Sequence, residues 1–224
     1  MKTQDRPLDH DQQEITATEI RHPLVRHYLS QLRDVSTTSP DFRQLVRRLA
    51  LIVAYEATAD LAVRGIEVQT PLCVTGGHAL AQRIGLFPIL RAGLGMVDAV
   101  LELLPQAEVR HLGIYRDEQT MQPVEYYSRL PETAQVDVAL VLDPMLATGG
   151  SALAAVATLA EWGVPIIKVL SIIASREGIE AVEAKYPDTQ IFVTAIDPEL
   201  DDRKYIIPGL GDAGDRTFNT IPRQ

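Results

Sequence analysis

The stretch that decides the fold is VDVALVLDPMLATGGS, residues Val136–Ser151. Its first part, Val136–Leu142, is apolar except for Asp137, which is typical of a strand buried on both faces of a parallel sheet. Asp143 follows this strand, and the turn Thr148–Ser151 opens into a helical pattern. Ligands bind at the carboxyl ends of the strands in open parallel sheets, and N–H groups at a helix start suit a phosphate. The stretch therefore predicts an α/β fold with a phosphate site.

Outward from this stretch, short apolar runs alternate with helical patterns, and Ser39-Pro40-Asp41 is a helix start signal with Ser39 as the cap. Helices are predicted over Pro23–Leu32, Phe42–Ala62, Leu94–Leu104, Ser151–Trp162 and Glu177–Tyr186, and strands over Leu72–Thr75, Gly85–Leu90, Val109–Tyr115, Val136–Leu142, Ile166–Ile173 and Gln190–Ile196. This order predicts an open, mainly parallel sheet flanked by helices. Residues 1–20 are predicted to be a flexible tail, and residues 21–224 a single domain. The polar stretch Arg116–Pro131 is predicted to form a hairpin or flap.

Charge and cysteine content limit the function classes. The 224 residues include 21 Lys and Arg against 30 Asp and Glu, a net charge of −9. Such an acidic chain predicts no nucleic acid and no membrane among its partners. The single cysteine, Cys73, is predicted to be a small buried hydrophobe in a strand, and the expected compartment is the reducing cytoplasm. No lysine lies in the Asp143–Ser151 loop, which excludes a P-loop.

Two arginines follow predicted strands at the same edge as this loop. Arg91 precedes the glycine turn Ala92-Gly93, a position from which an arginine can bind a diphosphate through two hydrogen bonds. A surface arginine paired with an acid would give the same local sequence, so both interpretations stay open. Arg116 begins the polar stretch, and its residue type alone favours a solvated loop charge. Gly209–Gly214 fits G-x-G-x-x-G, yet no second strand of a dinucleotide unit follows. We therefore expect an irregular loop there, whose backbone groups can meet a flat ligand.

Asp-Pro-Met-Leu-Ala-Thr-Gly-Gly-Ser over residues 143–151 resembles the phosphoribosyl-diphosphate signature of the type I phosphoribosyltransferases. Most of that family carries two adjacent acids at the start of the signature. Pro144 replaces the second acid, as it does in the uracil phosphoribosyltransferase branch. Four further segments are similar to that branch and run from about residue 20 to the end of the chain: His22–Val25, Tyr55–Leu61, Pro88–Met96 and Tyr205–Asp215.

The resemblance implies transfer of the phosphoribosyl group of 5-phospho-α-D-ribose 1-diphosphate (PRPP) to uracil, beneath an irregular C-terminal base-binding hood. It implies catalytic roles for Asp212 and Arg116. The implied PRPP contacts are Arg91, Arg116, Asp143, Pro144, Met145, Leu146, Ala147, Thr148, Gly149, Gly150, Ser151 and Asp212. The implied uracil contacts are Ile206, Gly211, Asp212 and Ala213.

The resemblance also implies Mg²⁺ held through PRPP, a homodimer or homotetramer, and GTP as a candidate effector. Two alternatives stay open. One is a phosphoribosyltransferase for a different base. The other is a non-enzymatic regulator that senses nucleotides and binds RNA, which the net charge of −9 disfavours.

Overall fold

The elements of the fold come from a computed structural model, which describes residues 16–116, 123–128, 130–131 and 134–220. Its helices are α1 (Pro23–Arg33), α2 (Ser39–Ala57), α3 (Leu94–Leu103), α4 (Gly150–Trp162), α5 (Arg176–Lys185) and α6 (Ala213–Phe218). Its strands are β1 (Thr18–Glu19), β2 (Val63–Gln69), β3 (Val74–Leu80), β4 (Ile84–Pro88), β5 (Glu108–Val109), β6 (Leu112–Arg116), β7 (Pro123–Ser128), β8 (Val138–Leu142), β9 (Met145–Leu146), β10 (Ile166–Ser175), β11 (Gln190–Asp197), β12 (Glu199–Leu200) and β13 (Ile206–Ile207).

The central sheet has the order β1-β11-β10-β8-β4-β5, with β9 paired to β10, and its pairs are parallel. Side chains alternate between its faces because the strand period is two residues. From β8, Val138, Leu140 and Leu142 join the core beneath α1–α3 and α6, whereas Ala139 and Val141 join the core beneath α4 and α5. The predicted mainly parallel sheet flanked by helices is confirmed.

Helix α2 differs from its prediction at both ends. Its cap is Thr38, whose Oγ1 accepts a hydrogen bond from the Asp41 N–H at 3.4 Å, so Ser39 is already helical. The helix ends at Ala57 instead of Ala62. The buried Lys168 of β10 donates to the Ala57 carbonyl at 2.8 Å and also pairs with Asp60. This contact satisfies a terminal carbonyl, which explains why the helix stops there.

The region around Cys73 contradicts its prediction. Antiparallel strands β2 and β3 form a hairpin there, and Leu72 and Cys73 lie exposed in its turn. Thr70 closes the turn, because its Oγ1 accepts a hydrogen bond from the Cys73 N–H at 3.0 Å. Cys73 is therefore not a buried hydrophobe, and of the predicted strand Leu72–Thr75 only Val74 and Thr75 are confirmed, as the start of β3. A short apolar run in a turn resembles a buried strand when only the sequence is read.

Paired strands lie both in the predicted tail and in the stretch predicted to form a hairpin or flap. Thr18 and Glu19 pair with β11, and Ile20 is buried, so the sheet begins inside the predicted tail. Residues 1–15 lie outside the described part of the chain. Strand β7 lies within the predicted stretch Arg116–Pro131 and pairs antiparallel with β6, so the hairpin begins at Leu112, ahead of that stretch. Residues 117–122 lie outside the described part of the chain. Across the described ranges, no helix is long and apolar enough to cross a membrane.

Candidate active site

The predicted phosphate loop leaves the carboxyl end of β8 and enters α4. The Asp143 N–H bonds the Leu170 carbonyl of β10 at 3.2 Å, and β9 then pairs with the same strand. Gly149 has φ of 79°, a left-handed conformation that glycine adopts without strain, and α4 begins at Gly150. The loop therefore runs from β8 alongside β10 to the start of α4, whose first N–H groups have no partner within the helix.

The loop keeps its shape because α5 packs directly against its backbone. The Ser175 hydroxyl donates to the Ala147 carbonyl at 2.5 Å and accepts from the Gly178 N–H at 2.9 Å. A Cβ atom on Gly178 would stand 2.3 Å from the Ala147 oxygen, and one on Gly149 would stand 2.8 Å from the Gly178 oxygen. Only glycine permits this approach at either position, so the loop is preformed by its neighbours.

Asp143 is the titratable group of this loop. Burial raises the pKa of its carboxyl group to about 7, and a hydrogen bond from the Met145 N–H at 3.3 Å acts in the opposite direction. A carboxylate in such surroundings gains from contact with hydroxyl donors or a cation. Asp143 is thus suited to a ribose diol or to a hydrated metal ion.

The turn that carries Arg91 lies directly beside the end of β8. The Ile89 N–H bonds the Leu142 carbonyl at 3.0 Å, and the Gly93 N–H bonds the Ile89 carbonyl at 3.0 Å. A Cβ atom on Gly93 would stand 2.2 Å from the Leu142 oxygen, so the turn needs glycine there. The peptide bond between Leu90 and Arg91 is cis. Arg91 and Asp143 therefore follow neighbouring strands at one edge of the sheet.

Arg91 also forms an ion pair with an acid. The sequence allowed either a diphosphate-binding arginine or a surface arginine paired with an acid, and the structure is compatible with both. The Arg91 Nη2 nitrogen donates to Oδ1 of Asp215 at 2.9 Å. The Arg91 side chain is 55% exposed, whereas the Asp215 side chain is 14% exposed. The arginine consequently contacts α6 through one edge and remains open to solvent elsewhere.

Arg116 is placed by its backbone alone. Strand β6 is attached to the Arg91 turn, because the Leu90 N–H bonds the Leu112 carbonyl at 2.9 Å. Arg116 is the last residue of β6 and pairs with Pro123. The backbone of Arg116 thus belongs to a hairpin that leaves the same edge of the sheet, and its side chain lies outside the description.

Three of the predicted uracil contacts, Gly211, Asp212 and Ala213, lie at the start of α6, and the fourth, Ile206, lies in β13. Gly211 has φ of 77°, and Oδ1 of Asp212 accepts a hydrogen bond from the Asp215 N–H at 2.8 Å, which caps the helix. Ile206 and Ala213 are buried in the core. Their side chains are therefore committed to packing, and backbone groups are the means by which they can contact a base.

An ion pair that the sequence does not reveal anchors this C-terminal segment. Arg33 of α1 donates to both carboxylate oxygens of Asp197, at 2.8 and 2.6 Å, and also to the Gly209 carbonyl at 2.9 Å. The Gly209 N–H bonds Asp197 at 3.0 Å. Asp197 is 4% exposed, so the pair is strongly shielded from water. It fixes the loop before α6 to the first helix.

Arg33→Met is expected to destabilise the protein by about 3 kcal/mol, because it leaves the buried Asp197 carboxylate without its cation. Urea unfolding measures this change. The matched control is Arg21→Met, since Arg21 pairs with Glu19 at 3.0 Å while its side chain is 77% exposed. Exposed pairs contribute at most about 1 kcal/mol. Equal losses in the two variants would contradict the anchoring role.

Metal ligation by the protein alone finds no support in the described ranges, which contain no group of three or more His, Cys, Asp or Glu side chains able to hold a metal ion. Asp143 is a single carboxylate at the loop. Mg²⁺ commonly binds through one or two carboxylates together with substrate phosphates and water. This donor set fits an ion that arrives with a phosphorylated substrate.

A mainly parallel sheet flanked by helices, with a glycine-containing loop from one strand into a helix and an arginine after the neighbouring strand, is the arrangement of the type I phosphoribosyltransferase class. The family model described as uracil phosphoribosyltransferase matches residues 19–220. The chain belongs to that family.

Relatives and solved structures agree with this membership. The uracil phosphoribosyltransferase of Roseiflexus sp. (strain RS-1) is 56% identical over 200 residues, which cover 89% of this chain and 96% of the relative. That of Alkaliphilus oremlandii is 52% identical and covers 91% of this chain and 98% of its own length. The solved AQ2163 protein from Aquifex aeolicus superposes with a TM-score of 0.87 at 36% identity, over 93% of this chain and 100% of that chain.

Proposed function

We propose that this chain transfers the phosphoribosyl group of PRPP to uracil, giving UMP and diphosphate, a reaction of pyrimidine salvage. The observation that carries the proposal is the family match over residues 19–220, which spans every element of the candidate site. The phosphate loop, the Arg91 turn and the start of α6 meet at the carboxyl edge of the sheet. This edge is where open parallel sheets bind ligands.

The loop after β8 is proposed to bind the ribose 5′-phosphate. The N–H groups at the start of α4 favour negative charge, and the Thr148 and Ser151 side chains supply hydroxyls. Asp143 is proposed to accept hydrogen bonds from the ribose hydroxyls. The backbone of the remaining loop residues completes the PRPP site, namely Pro144, Met145, Leu146, Ala147, Gly149 and Gly150.

Arg91 and Arg116 are proposed to bind the diphosphate, each through a planar guanidinium that matches phosphate oxygens. When bound together with PRPP, Mg²⁺ would neutralise part of the negative charge of the diphosphate. The hairpin β6–β7, which carries Arg116, is proposed to cover the site and exclude water. The two arginines would then hold the diphosphate as it acquires charge.

The proposed reaction is a substitution at the anomeric carbon of the ribose. The bond from this carbon to the diphosphate oxygen breaks, and a bond to uracil N1 forms. The N1 proton leaves the base, and Asp212 is our candidate for accepting it or for orienting the base. Positive charge develops on the sugar, as in other glycosyl transfers. The protein contributes orientation and stabilisation of the leaving charge.

Selectivity for uracil is proposed to come from backbone groups at Ile206 and Gly211–Ala213. Uracil and cytosine differ in their donors and acceptors at positions 3 and 4. Buried backbone groups that match one base are left unpaired by the other, which discriminates strongly. A closely related enzyme for another base would differ in this segment.

The family also suggests how the protein is assembled and regulated. A homodimer or homotetramer and a response to GTP are proposed on that basis alone. The cytoplasm remains the expected compartment, from the single cysteine in the chain.

Incubation with PRPP, Mg²⁺ and each nucleobase in turn is expected to give a nucleotide with uracil and with no other base. The product is identified by chromatography against authentic UMP. Omission of PRPP is the control. Turnover of a different base would favour the related phosphoribosyltransferase, and no turnover with binding of nucleotides or RNA would favour the regulator.

A further inference from the structure

Arg91 is held by a closed set of hydrogen bonds from the C-terminal segment. Its Nη2 nitrogen donates to Oδ1 of Asp215 at 2.9 Å, and its Nη1 nitrogen donates to the Thr220 hydroxyl at 3.4 Å. The Thr220 hydroxyl in turn donates to the same Oδ1 atom at 2.5 Å. The three side chains form a ring, in which two nitrogens of the guanidinium are directed at Asp215 of α6 and at Thr220, the second residue after that helix.

We propose that Asp215 is a positioning residue for the transfer reaction: with Thr220 it holds the Arg91 guanidinium in the orientation that binds the diphosphate. The inference rests on the proposed function. An arginine side chain has many rotamers, and a carboxylate that fixes its planar group before the ligand arrives reduces the entropy lost on binding. Asp215 acts through Arg91 and does not itself contact PRPP.

The alternative is that Asp215 competes with the diphosphate for Arg91, and two observations disfavour it. The Asp215 carboxylate is 14% exposed and is bonded to Thr220, so it keeps its position independently of Arg91. Arg91 is 55% exposed, and a guanidinium has further N–H donors beyond those used here. A diphosphate can therefore bind the open side of Arg91 while Asp215 retains the other.

The loop Gly209–Asp212 before α6, which we call the base loop, depends on Asp215 through a different atom. Its backbone N–H, and not its carboxylate, donates to Oδ1 of Asp212 at 2.8 Å. Replacement of the carboxylate by an amide leaves this backbone bond in place. The variant Asp215→Asn therefore separates the diphosphate side of the site from the uracil side.

Steady-state kinetics of Asp215→Asn test the proposal. We expect KM for PRPP to rise roughly tenfold, within the range of coupling between contacting residues. KM for uracil should stay within about twofold of wild type, because the backbone bond to Asp212 remains. Glu102→Gln is the matched control, since it removes a carboxylate that pairs with Arg47 on the exposed side of α3, and it should change neither constant.

A double-mutant cycle with Arg91→Lys decides whether Asp215 acts through Arg91. In that background, Asp215→Asn should leave kcat/KM for PRPP unchanged. Additive losses, an unchanged or lower KM for PRPP in the single variant, or an equal rise for both substrates would overturn the proposal. If Asp215→Asn does not fold, Thr220→Val takes its place in the cycle under the same criteria. A wild-type chain that makes no UMP overturns the proposed function and this inference together, whereas additivity in an active enzyme overturns this inference alone.

Discussion

Asp143→Asn is expected to lower kcat/KM for PRPP at least about a hundredfold while making the protein more stable at pH 8. The loss follows from two hydrogen bonds between a carboxylate and the ribose hydroxyls, each contributing about 1.5–3 kcal/mol. The gain follows from the raised pKa of Asp143, since burial penalises its charged form. Asparagine has nearly the same shape and can still accept the hydrogen bond from the Met145 N–H.

The stability gain has a defined dependence on pH. The folded-state pKa of Asp143 is about 7 and the ordinary value is 3.8, so the unfolded chain ionises at lower pH than the folded protein. The wild type therefore loses stability relative to the variant as pH rises from about 4 to 7, and the difference is constant above that range. The raised pKa corresponds to as much as about 4 kcal/mol at pH 8, at about 1.36 kcal/mol for each unit of pKa.

Urea unfolding at pH 4 and at pH 8 measures this difference, and initial rates at limiting PRPP measure the activity. Asp137→Asn is the matched control, because Asp137 directly precedes the same strand at its opposite end and bonds the Arg83 N–H at 2.7 Å. That variant should retain full activity and should gain no stability at pH 8. A stability difference for Asp143→Asn that is equal at both pH values would refute a buried charge at this position.

The sheet and its order of elements could be predicted because buried parallel strands leave a strong local pattern. Strands β8 and β10 are nearly continuous apolar runs, and both faces of each are covered by helices. The end of helix α2 could not be predicted from the local apolar pattern. Its apolar spacing continues past Ala57, but Lys168 of β10 satisfies the terminal carbonyl. A contact made by a residue so distant in sequence leaves no local signal.

The candidate site also has parts that could be predicted from local sequence and parts that could not. The phosphate loop could be predicted from its own residues, because the strand, acid, glycine turn and helix are contiguous. The base loop has no such signal, and its uracil contacts come from family resemblance alone. The partners that hold the site together, Asp197 with Arg33 and Asp215 with Arg91, are ordinary charged residues until the fold brings them together. Distant ion pairs of this kind require the structure.

The two glycines at the ends of α4 provide the sharpest test of the phosphate loop. Gly149 and Gly163 both have positive φ, of 79° and 91°, so alanine at either costs about 1 kcal/mol of backbone strain. Their surroundings differ. A Cβ atom on Gly149 would stand 2.8 Å from the Gly178 oxygen, whereas one on Gly163 meets nothing within 4 Å. The two substitutions thus share a backbone penalty and differ in steric conflict.

Gly149→Ala is therefore expected to weaken PRPP binding by a factor on the order of 100, since displacing the loop costs hydrogen bonds to a charged phosphate, which contribute about 1.5–3 kcal/mol each. Gly163→Ala should bind PRPP as the wild type does, although it loses similar backbone stability. Titration calorimetry measures both affinities, and thermal unfolding confirms that both variants are folded. If the two variants bound PRPP equally well, the close packing of Gly149 against Gly178 would have no role in the phosphate site. If only Gly149→Ala lost affinity for PRPP, the result would support the conclusion that the α5 backbone shapes the loop that binds the substrate.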